Sequence, residues 1–413
     1  MGAPGHISRG HLQLHSRGIT LIRPAPLPLM LEILAFLASV ALIIGGTLSR
    51  KIDVAASLAA GALLYGAMTL GPRALEATIS SFNYSMFEVL SSLILAMALG
   101  YLMRMRREAI ASGLIAVGPR FAAFAIPAAI GLLPMPGGAY ISAVVADPLY
   151  NKMGLGGAQR SFLNYWMRHI WIPIWPLFQG VLITAAVLNV PVLRVISWSW
   201  PASVAALVAG VAVGAREVRR AEAEGRLKDL VSLWPLLAVA ALSLIAPIYI
   251  AVAAALALFV AVHRPGGPAM AEAFRYALTP RIMAIIVFSL MFSEYIRASG
   301  LSELLASRLG AAAPLAAFLV PFLVGLATGV EFTFAALAFP PLAPLLHGYR
   351  LAVAFLGGFL GVMLSPAHSC FVLTTDYYKA EYRDVYRLLI RAMLAALAAG
   401  LPLFWALGAL SPA

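Results

Sequence analysis

Cysteine is almost missing from this chain: its 413 residues include one, Cys370. A single thiol excludes a disulfide framework and any metal site built from several cysteines. Charge is nearly as scarce. Asp, Glu, Lys and Arg supply 11% of the residues, against about 25% in an ordinary soluble domain. So few charged groups cannot cover a soluble surface of this size, which excludes a cytosolic enzyme, a disordered chain and a nucleic-acid binder despite a formal net charge of +12. Enzymatic signatures are missing too. Neither H-E-x-x-H nor G-x-S-x-G occurs, and there is no G-x-x-x-x-G-K-[ST] phosphate loop. What the chain has is apolar sequence, 62% of the residues with a mean hydropathy of +0.92. It reads as a polytopic membrane protein.

A bilayer core of about 30 Å takes roughly 20 helical residues to cross. Crossing segments are expected at about 29–48, 52–70, 86–103, 161–190, 198–215, 230–246, 248–263, 281–298, 351–378 and 391–410. Two more apolar stretches, about 121–150 and 311–347, are each interrupted midway by a Gly/Pro or polar cluster and are too short for two crossings. They read as re-entrant hairpins, which are tolerated at membrane depth where protein or a watery cavity satisfies the backbone.

Positive charge tests the layout. On one side it leaves only Arg73, Arg194, Arg297, Arg308 and Arg350. Apart from the tail and Arg168, the rest of the 29 Lys and Arg residues fall on the other side. The positive-inside rule makes that second side cytoplasmic, including the linker 216–229, and puts the protein in the plasma membrane. The N-terminal tail, 1–28, is discordant: it carries Arg9, Arg17 and Arg23 on the wrong side, so either the first span is oriented against its flank or, the reading preferred here, translation begins at Met30. Segment 29–48 is too long for a signal-peptide core.

The halves on either side of the linker, 29–215 and 230–413, resemble each other. Phe124, Pro127 and Gly131 match Phe318, Pro321 and Gly325 at an offset of 194, and Pro148 and Pro173 match Pro341 and Pro366 at 193. The charge-derived layout gives the halves opposite orientations, with one hairpin entering from each side. The expected fold is therefore an all-α polytopic membrane protein. It has about ten transmembrane helices and two re-entrant hairpins in two inverted-topology repeats, an architecture of secondary transporters.

Three runs carry a family resemblance: LLPMPGGAYISA, NYWMRHIWIPIWP and GVMLSPAHSCFVLTTDYYKAEYRD. They resemble an uncharacterised family of archaeal and bacterial membrane proteins, a domain of unknown function, over essentially residues 30–410. That family in turn resembles the ion transporter superfamily of citrate, gluconate, dicarboxylate and arsenite carriers and some sodium/proton antiporters. The Ser-Asn-Thr motif of the sodium-coupled dicarboxylate carriers is absent at both hairpin tips, which speaks against a dicarboxylate.

Candidate residues follow from where helix must break. Pro and Gly prevent regular helix at the tips, Pro134 to Gly138 and Thr328 to Glu331. Freed N–H groups there suit an anion and freed carbonyls suit Na⁺. The spans facing the tips must unwind near Pro173 and Pro176 and again at Ser365-Pro366. On this basis Pro136, Gly137, Gly138, Asn164, Arg168, His169, Thr328, Gly329, Ser365, His368 and Ser369 are expected to bind substrate. Arg168 would hold the anion, because an arginine inside a span costs about 2.5–3.5 kcal/mol unless protein or a cavity receives it. The alternative is an arginine that snorkels to the cytoplasmic face. Each histidine either titrates during transport or packs.

Glu331, Thr333 and Asp376 are the expected ion-coupling residues, Glu331 foremost; its alternative is a permanent partner for Arg168 or His368. Asp147 and Asp376 have a second reading as helix caps or interface groups. Glu294 is expected to pair with Arg297 three residues on. Trp166, Trp171 and Trp175 are expected to pack in the bundle or belt, with a pocket lining as the alternative, and Cys370 to be a small packing residue.

The expected activity is cation-coupled transport of a small, carboxylate-type anion by alternating access. A cation/proton antiporter using Glu331 and Asp376 is the alternative, and an intramembrane enzyme using Ser365, His368 and Ser369 a distant one. No catalytic residue, metal or cofactor is expected beyond Na⁺ as coupling ion. The expected partners are the anionic solute, the coupling cation and the lipid bilayer, with a homodimer open and no nucleic acid.

Overall fold

The computed structural model describes residues 29–49, 51–133 and 137–410. The tail 1–28 therefore lies outside the described residues, as does Pro136 at the first tip, while Met30 falls in the first helix. Among the described residues there is helix and no strand. The first half holds α1 (Leu29–Leu48), α2 (Val54–Thr69), α3 (Arg73–Ser81), α4 (Tyr84–Met103), α5 (Arg107–Val117), α6 (Pro119–Gly131), α7 (Gly138–Lys152), α8 (Gly157–His169), α9 (Gln179–Leu188) and α10 (Val192–Gly214). The second holds α11 (Trp234–Leu242), α12 (Ile248–His263), α13 (Gly267–Ala277), α14 (Pro280–Ser299), α15 (Leu301–Leu309), α16 (Ala313–Thr328), α17 (Thr333–Leu337), α18 (Phe339–Leu342), α19 (Arg350–Leu364), α20 (Ser369–Tyr377) and α21 (Tyr382–Ala406).

Local chemistry sets several boundaries. Asp53 accepts the Ala55 N–H at 2.8 Å ahead of α2, and Asn83 accepts that of Met86 at 3.2 Å ahead of α4; both are N-caps that satisfy orphan donors. Gly300 and Gly329 close α14 and α16 in the left-handed conformation that glycine adopts without strain.

Six helical segments are long and apolar enough to cross a membrane: 30–48, 84–117, 192–214, 267–299, 301–328 and 382–406. The pair α19–α20, bent by 44°, makes a seventh if taken as one span. Helix 84–117 runs beyond the expected end at 103. The expected crossings at 52–70 and 248–263 fall on α2 and α12, of 16 residues each, about 24 Å of helix. That at 230–246 falls on α11, of nine residues, after a 3₁₀ stretch. The first limb of the second expected hairpin belongs to the apolar run 301–328. Between the first crossings α3 was not foreseen; its Leu75 and Ile79 are exposed while Ala77 and Ser81 are buried.

Polarity is inverted relative to a soluble domain. Leu34, Leu37, Leu319, Leu323 and Leu394 lie exposed on the outside, while Asn164, Arg168, His169, His368 and Thr374 are buried. A helix that is apolar all round belongs to an interior, and α19 is one: every residue from Leu351 to Met363 is buried. Its glycines let α16 come close. A Cβ at Gly357 would meet the Phe318 carbonyl at 2.2 Å, and one at Gly361 the Phe322 carbonyl at 2.0 Å. Small residues four apart are a means of close helix approach in membranes. The inner half of α8, Ser161 to His169, is buried as well, and together with α19 it places the breaks in both chains of helix at the centre.

Candidate functional site

The four interruptions expected from Pro and Gly are all present. Helix stops between α6 and α7, between α8 and α9, between α16 and α17, and between α19 and α20. Each tip packs on a break. A Cβ at Gly138 would stand 2.1 Å from Nη2 of Arg168, and one at Gly329 2.6 Å from the backbone nitrogen of His368.

Much of the backbone released at the breaks is taken up by the protein. At the first, the Ile170 and Pro173 carbonyls accept from the hydroxyls of Ser203 (2.8 Å) and Ser199 (2.5 Å) on α10. At the second, the Leu364 carbonyl accepts from the Tyr386 hydroxyl at 3.2 Å, and the Tyr165 hydroxyl lies 3.3 Å from the carbonyls of Val362 and Met363. Burying a polar group without a partner is costly, so these side chains stabilise non-helical backbone in an apolar interior.

Between the breaks lies a cavity of about 270 Å³. Its walls include Gly131 and Leu133 from the end of α6, Arg168 and His169 from the end of α8, Gln179 from the start of α9, Gly329 to Phe332 from the second tip, and His368, Ser369 and Cys370 from the start of α20. Helix C-termini and helix N-termini thus open on one space, presenting partial charges of both signs. A larger cleft of about 490 Å³ lies elsewhere, between Tyr84, Glu88, Asn189 and Ser243; Glu88 is its one charged side chain.

Arg168 is 7% exposed. Its Nη1 donates to the Ile130 carbonyl at 3.3 Å. Among the described residues no carboxylate lies within 4.0 Å of it, and Glu331 likewise makes no ion pair with Arg168 or His368. The internal salt bridge weighed for Glu331 is therefore not formed; both charged groups face the cavity. Thr328 and Thr333 shape the turn that carries Glu331. Their hydroxyls bond to each other, so one of the two donates across that contact while the other donates to its carbonyl, Val324 at 2.8 Å for Thr328 or Val330 at 2.7 Å for Thr333. Neither Thr328 nor Thr333 lines the cavity, so Thr333 bears on it through the turn that carries Glu331.

Four further expected residues lie off the cavity wall. Asn164 is fully buried and away from the cavity wall: it accepts from Ser142 at 2.7 Å and donates to the Ala139 carbonyl at 3.0 Å and to Thr374 at 3.3 Å. It ties α8 to α7 and α20. Asp376 is exposed at the far end of α20 and accepts from Tyr382 at 2.9 Å; an apolar helix turn separates it from the cavity-lining start of that helix. Ser365 is buried against Gly329, and its hydroxyl accepts the Ala367 N–H at 3.3 Å. Gly137, in the left-handed conformation, starts α7 outside the cavity wall.

Asp147 lies within α7, where it pairs with Arg160 at 3.0 Å, a contact not expected from the sequence. The expected pair forms between Arg297 and Glu294, with Nε donating at 2.9 Å. Trp166 and Trp171 pack, donating to the carbonyls of Ala206 and Ala128, each at 2.8 Å.

Cys370 was missed. It lines the cavity with His169 and His368, and a donor atom from each of the three lies within 4.8 Å of the others. The signal available in the sequence was its place two residues after His368, directly behind a helix break. Gln179 and Tyr276 also line the cavity and had no such signal.

No curated protein matches the chain. One family model does match, over residues 30–405, so nearly the whole described chain is covered. The chain belongs to that family, DUF401, a family of proteins of unknown function.

Proposed function

We propose that the protein is a secondary transporter that moves a small anion across the membrane by alternating access, coupled to Na⁺ or H⁺. The observation that carries this reading is Arg168: a buried guanidinium, free of any carboxylate within ion-pair distance among the described residues, on the wall of an interior cavity that also holds Glu331. A desolvated arginine fork binds a carboxylate or oxyanion with charge-assisted hydrogen bonds. The N-termini of α9 and α20 add positive partial charge. At about 270 Å³ the cavity suits a solute of a few heavy atoms. Glu331 is the acidic group placed to respond to the coupling cation.

The same reading includes two inverted repeats and kinship with the ion transporter superfamily. Supporting it, Gly131 and Gly325 match in sequence and both lie tight against backbone: a Cβ at Gly131 would meet the Arg168 carbonyl at 2.2 Å, and one at Gly325 the Gly358 carbonyl at 2.7 Å and the Val362 nitrogen at 2.9 Å. Arg168 and Val362 are themselves 194 residues apart. The repeats account for about ten crossings, with the cytoplasmic face defined by the basic linker 216–229. The antiporter alternative loses one of its two carboxylates, since Asp376 lies off the cavity. The enzyme reading loses Ser365, whose hydroxyl is buried against Gly329, and is left with Ser369 and His368 on the cavity wall.

The test is thermal unfolding of purified protein with a panel of carboxylates, sugar acids and oxyanions, each with Na⁺, Li⁺ or K⁺ at several pH values. A ligand at 100 times its Kd stabilises by about 2.7 kcal/mol. A cation-dependent shift with one anion, followed by its concentrative uptake into proteoliposomes, is the expected result. Shifts with Na⁺ or pH alone would replace this reading with the antiporter.

A further inference from the structure

We propose that His169, His368 and Cys370 form a metal site for one Zn²⁺-class ion, with its open coordination position facing the cavity. The proposal does not depend on transport. It rests on three residues from two separate helix breaks. His169 ends α8, and His368 and Cys370 begin α20, about 200 positions later; the fold nevertheless brings a donor atom of each to within 4.8 Å of the others. Tetrahedral zinc holds nitrogen and sulfur donors about 3.5 Å apart, so modest side-chain rotation closes the set.

The imidazoles are already oriented. Nδ1 of His169 lies 2.6 Å from the Tyr165 carbonyl. A carbonyl only accepts, so Nδ1 carries the proton and Nε2 keeps its lone pair. Nδ1 of His368 lies 3.3 Å from the Val362 carbonyl and 3.0 Å from the Tyr165 hydroxyl. Ligation through Nε2 keeps the His368 proton on Nδ1, where Val362 accepts it. Both are the outer-shell contacts that fix the tautomer of a ligating histidine. The rings meet edge to face, 5.0 Å between centroids at 76°, so they converge from different directions. The histidines are 3% and 4% exposed and both rings pack edge-on against Tyr165, while Cys370 is half-buried on the cavity wall.

The donor set selects the metal class. Imidazole and thiolate together suit zinc over the hard ions Na⁺, Mg²⁺ and Ca²⁺, which take oxygen. Binding converts the Cys370 thiol to a metal-bound thiolate and releases its proton to solvent. Three protein ligands leave the fourth tetrahedral position for water or an anionic oxygen from the cavity; with Glu331 and Arg168 of opposite charge on the same wall, one positive charge remains to favour the anion.

The chain's single cysteine makes the test specific. Full-length protein without an affinity tag is stripped with chelator and titrated with Co²⁺, a spectroscopic stand-in for zinc. One equivalent is expected to produce a thiolate-to-cobalt charge-transfer band that Zn²⁺ then abolishes. His6, His11 and His15 in the tail can bind metal but cannot produce that band. Cys370→Ala removes it, and His169→Gln or His368→Gln weakens metal affinity at least tenfold. Absence of the band in the unaltered protein, or its persistence with unchanged affinity in both histidine variants, overturns the site. A second measurement needs no variant: Zn²⁺ slows alkylation of Cys370 at least tenfold, and equal rates with and without Zn²⁺ also overturn it.

Discussion

The guanidinium of Arg168 rests against Gly138, where a Cβ would stand 2.1 Å from Nη2 and 2.6 Å from Cζ. The atoms that must yield belong to the far end of a flexible side chain, which separates an effect on the site from an effect on the fold.

Gly138→Ala is accordingly expected to fold. The added methyl displaces the guanidinium, and the change in stability stays within about 1 kcal/mol, as for a glycine replaced where its backbone is ordinary. A charge-assisted hydrogen bond is worth about 1.5–3 kcal/mol, so anion affinity should fall roughly 10- to 100-fold. Thermal shifts against anion concentration measure both quantities in one series. An unchanged affinity would remove Arg168 from the anion site.

Gly131→Ala and Gly361→Ala should do the opposite. Their Cβ atoms would meet backbone, the Arg168 carbonyl at 2.2 Å and the Phe322 carbonyl at 2.0 Å, and backbone in packed helices does not rotate away. Overpacking costs about 1–3 kcal/mol. Both variants should melt at lower temperature, and Gly361→Ala should do so without altering anion affinity in the fraction that remains folded.

The places where helix breaks were legible because Pro and Gly act locally: Pro173, Pro366, Gly138 and Gly329 mark them wherever the rest of the chain goes. Facing was legible in part. Arg168 in the interior followed from the cost of leaving it in lipid, but Asn164 on the same helix could not be distinguished from a site residue, since both read as polar groups on an apolar span. The union of His169 with Cys370 was beyond local reasoning altogether, since it depends on how α8 and α20 cross. Span number was blurred for a related reason. Interrupted pairs such as α8–α9 carry as much apolar sequence as a single helix, so hydropathy counts them as crossings.

Asn164→Ala tests the structural role found for that residue. It removes the acceptor of Ser142 and the donor to Ala139 and Thr374, leaving buried hydroxyl and carbonyl groups unmatched. A loss of about 2–3 kcal/mol is expected, with anion affinity retained. A variant of ordinary stability that no longer binds the anion would restore Asn164 to the binding set.

Outside the membrane-spanning helices, the linker carries a pH-dependent contact. The Ser112 hydroxyl above all holds the Asp229 carboxyl below its ordinary value of 3.8; burial opposes it next in size, and Arg226 and then Lys228 add to the lowering. A carboxyl lowered by folding contributes stability that is complete above the unfolded value and lost as pH falls through the folded one. The docking of 226–230 on α5 should thus hold at neutral pH and weaken below about pH 4. Hydrogen exchange at the Arg226 amide, which donates to Ser112 at 3.1 Å, reports it after correction for intrinsic rates. Asp229→Asn should show the low-pH exchange already at pH 7; exchange equal to that of the unaltered protein would dismiss the contact.

Glu331→Gln separates coupling from binding. The side chain makes no ion pair among the described residues, and the turn around it is held by Thr328 and Thr333, so an amide of the same shape should leave folding intact. Gln accepts and donates hydrogen bonds but takes up neither a proton nor, by charge, a cation. Uptake into proteoliposomes should then lose its dependence on Na⁺ or pH and fall from concentrative accumulation to equilibration. The anion should still shift the melting transition, because Arg168 is untouched. Cation-dependent, concentrative uptake by the variant would mean that the coupling ion binds elsewhere, at the carbonyls of the breaks, and that Glu331 serves only to balance the charge of Arg168.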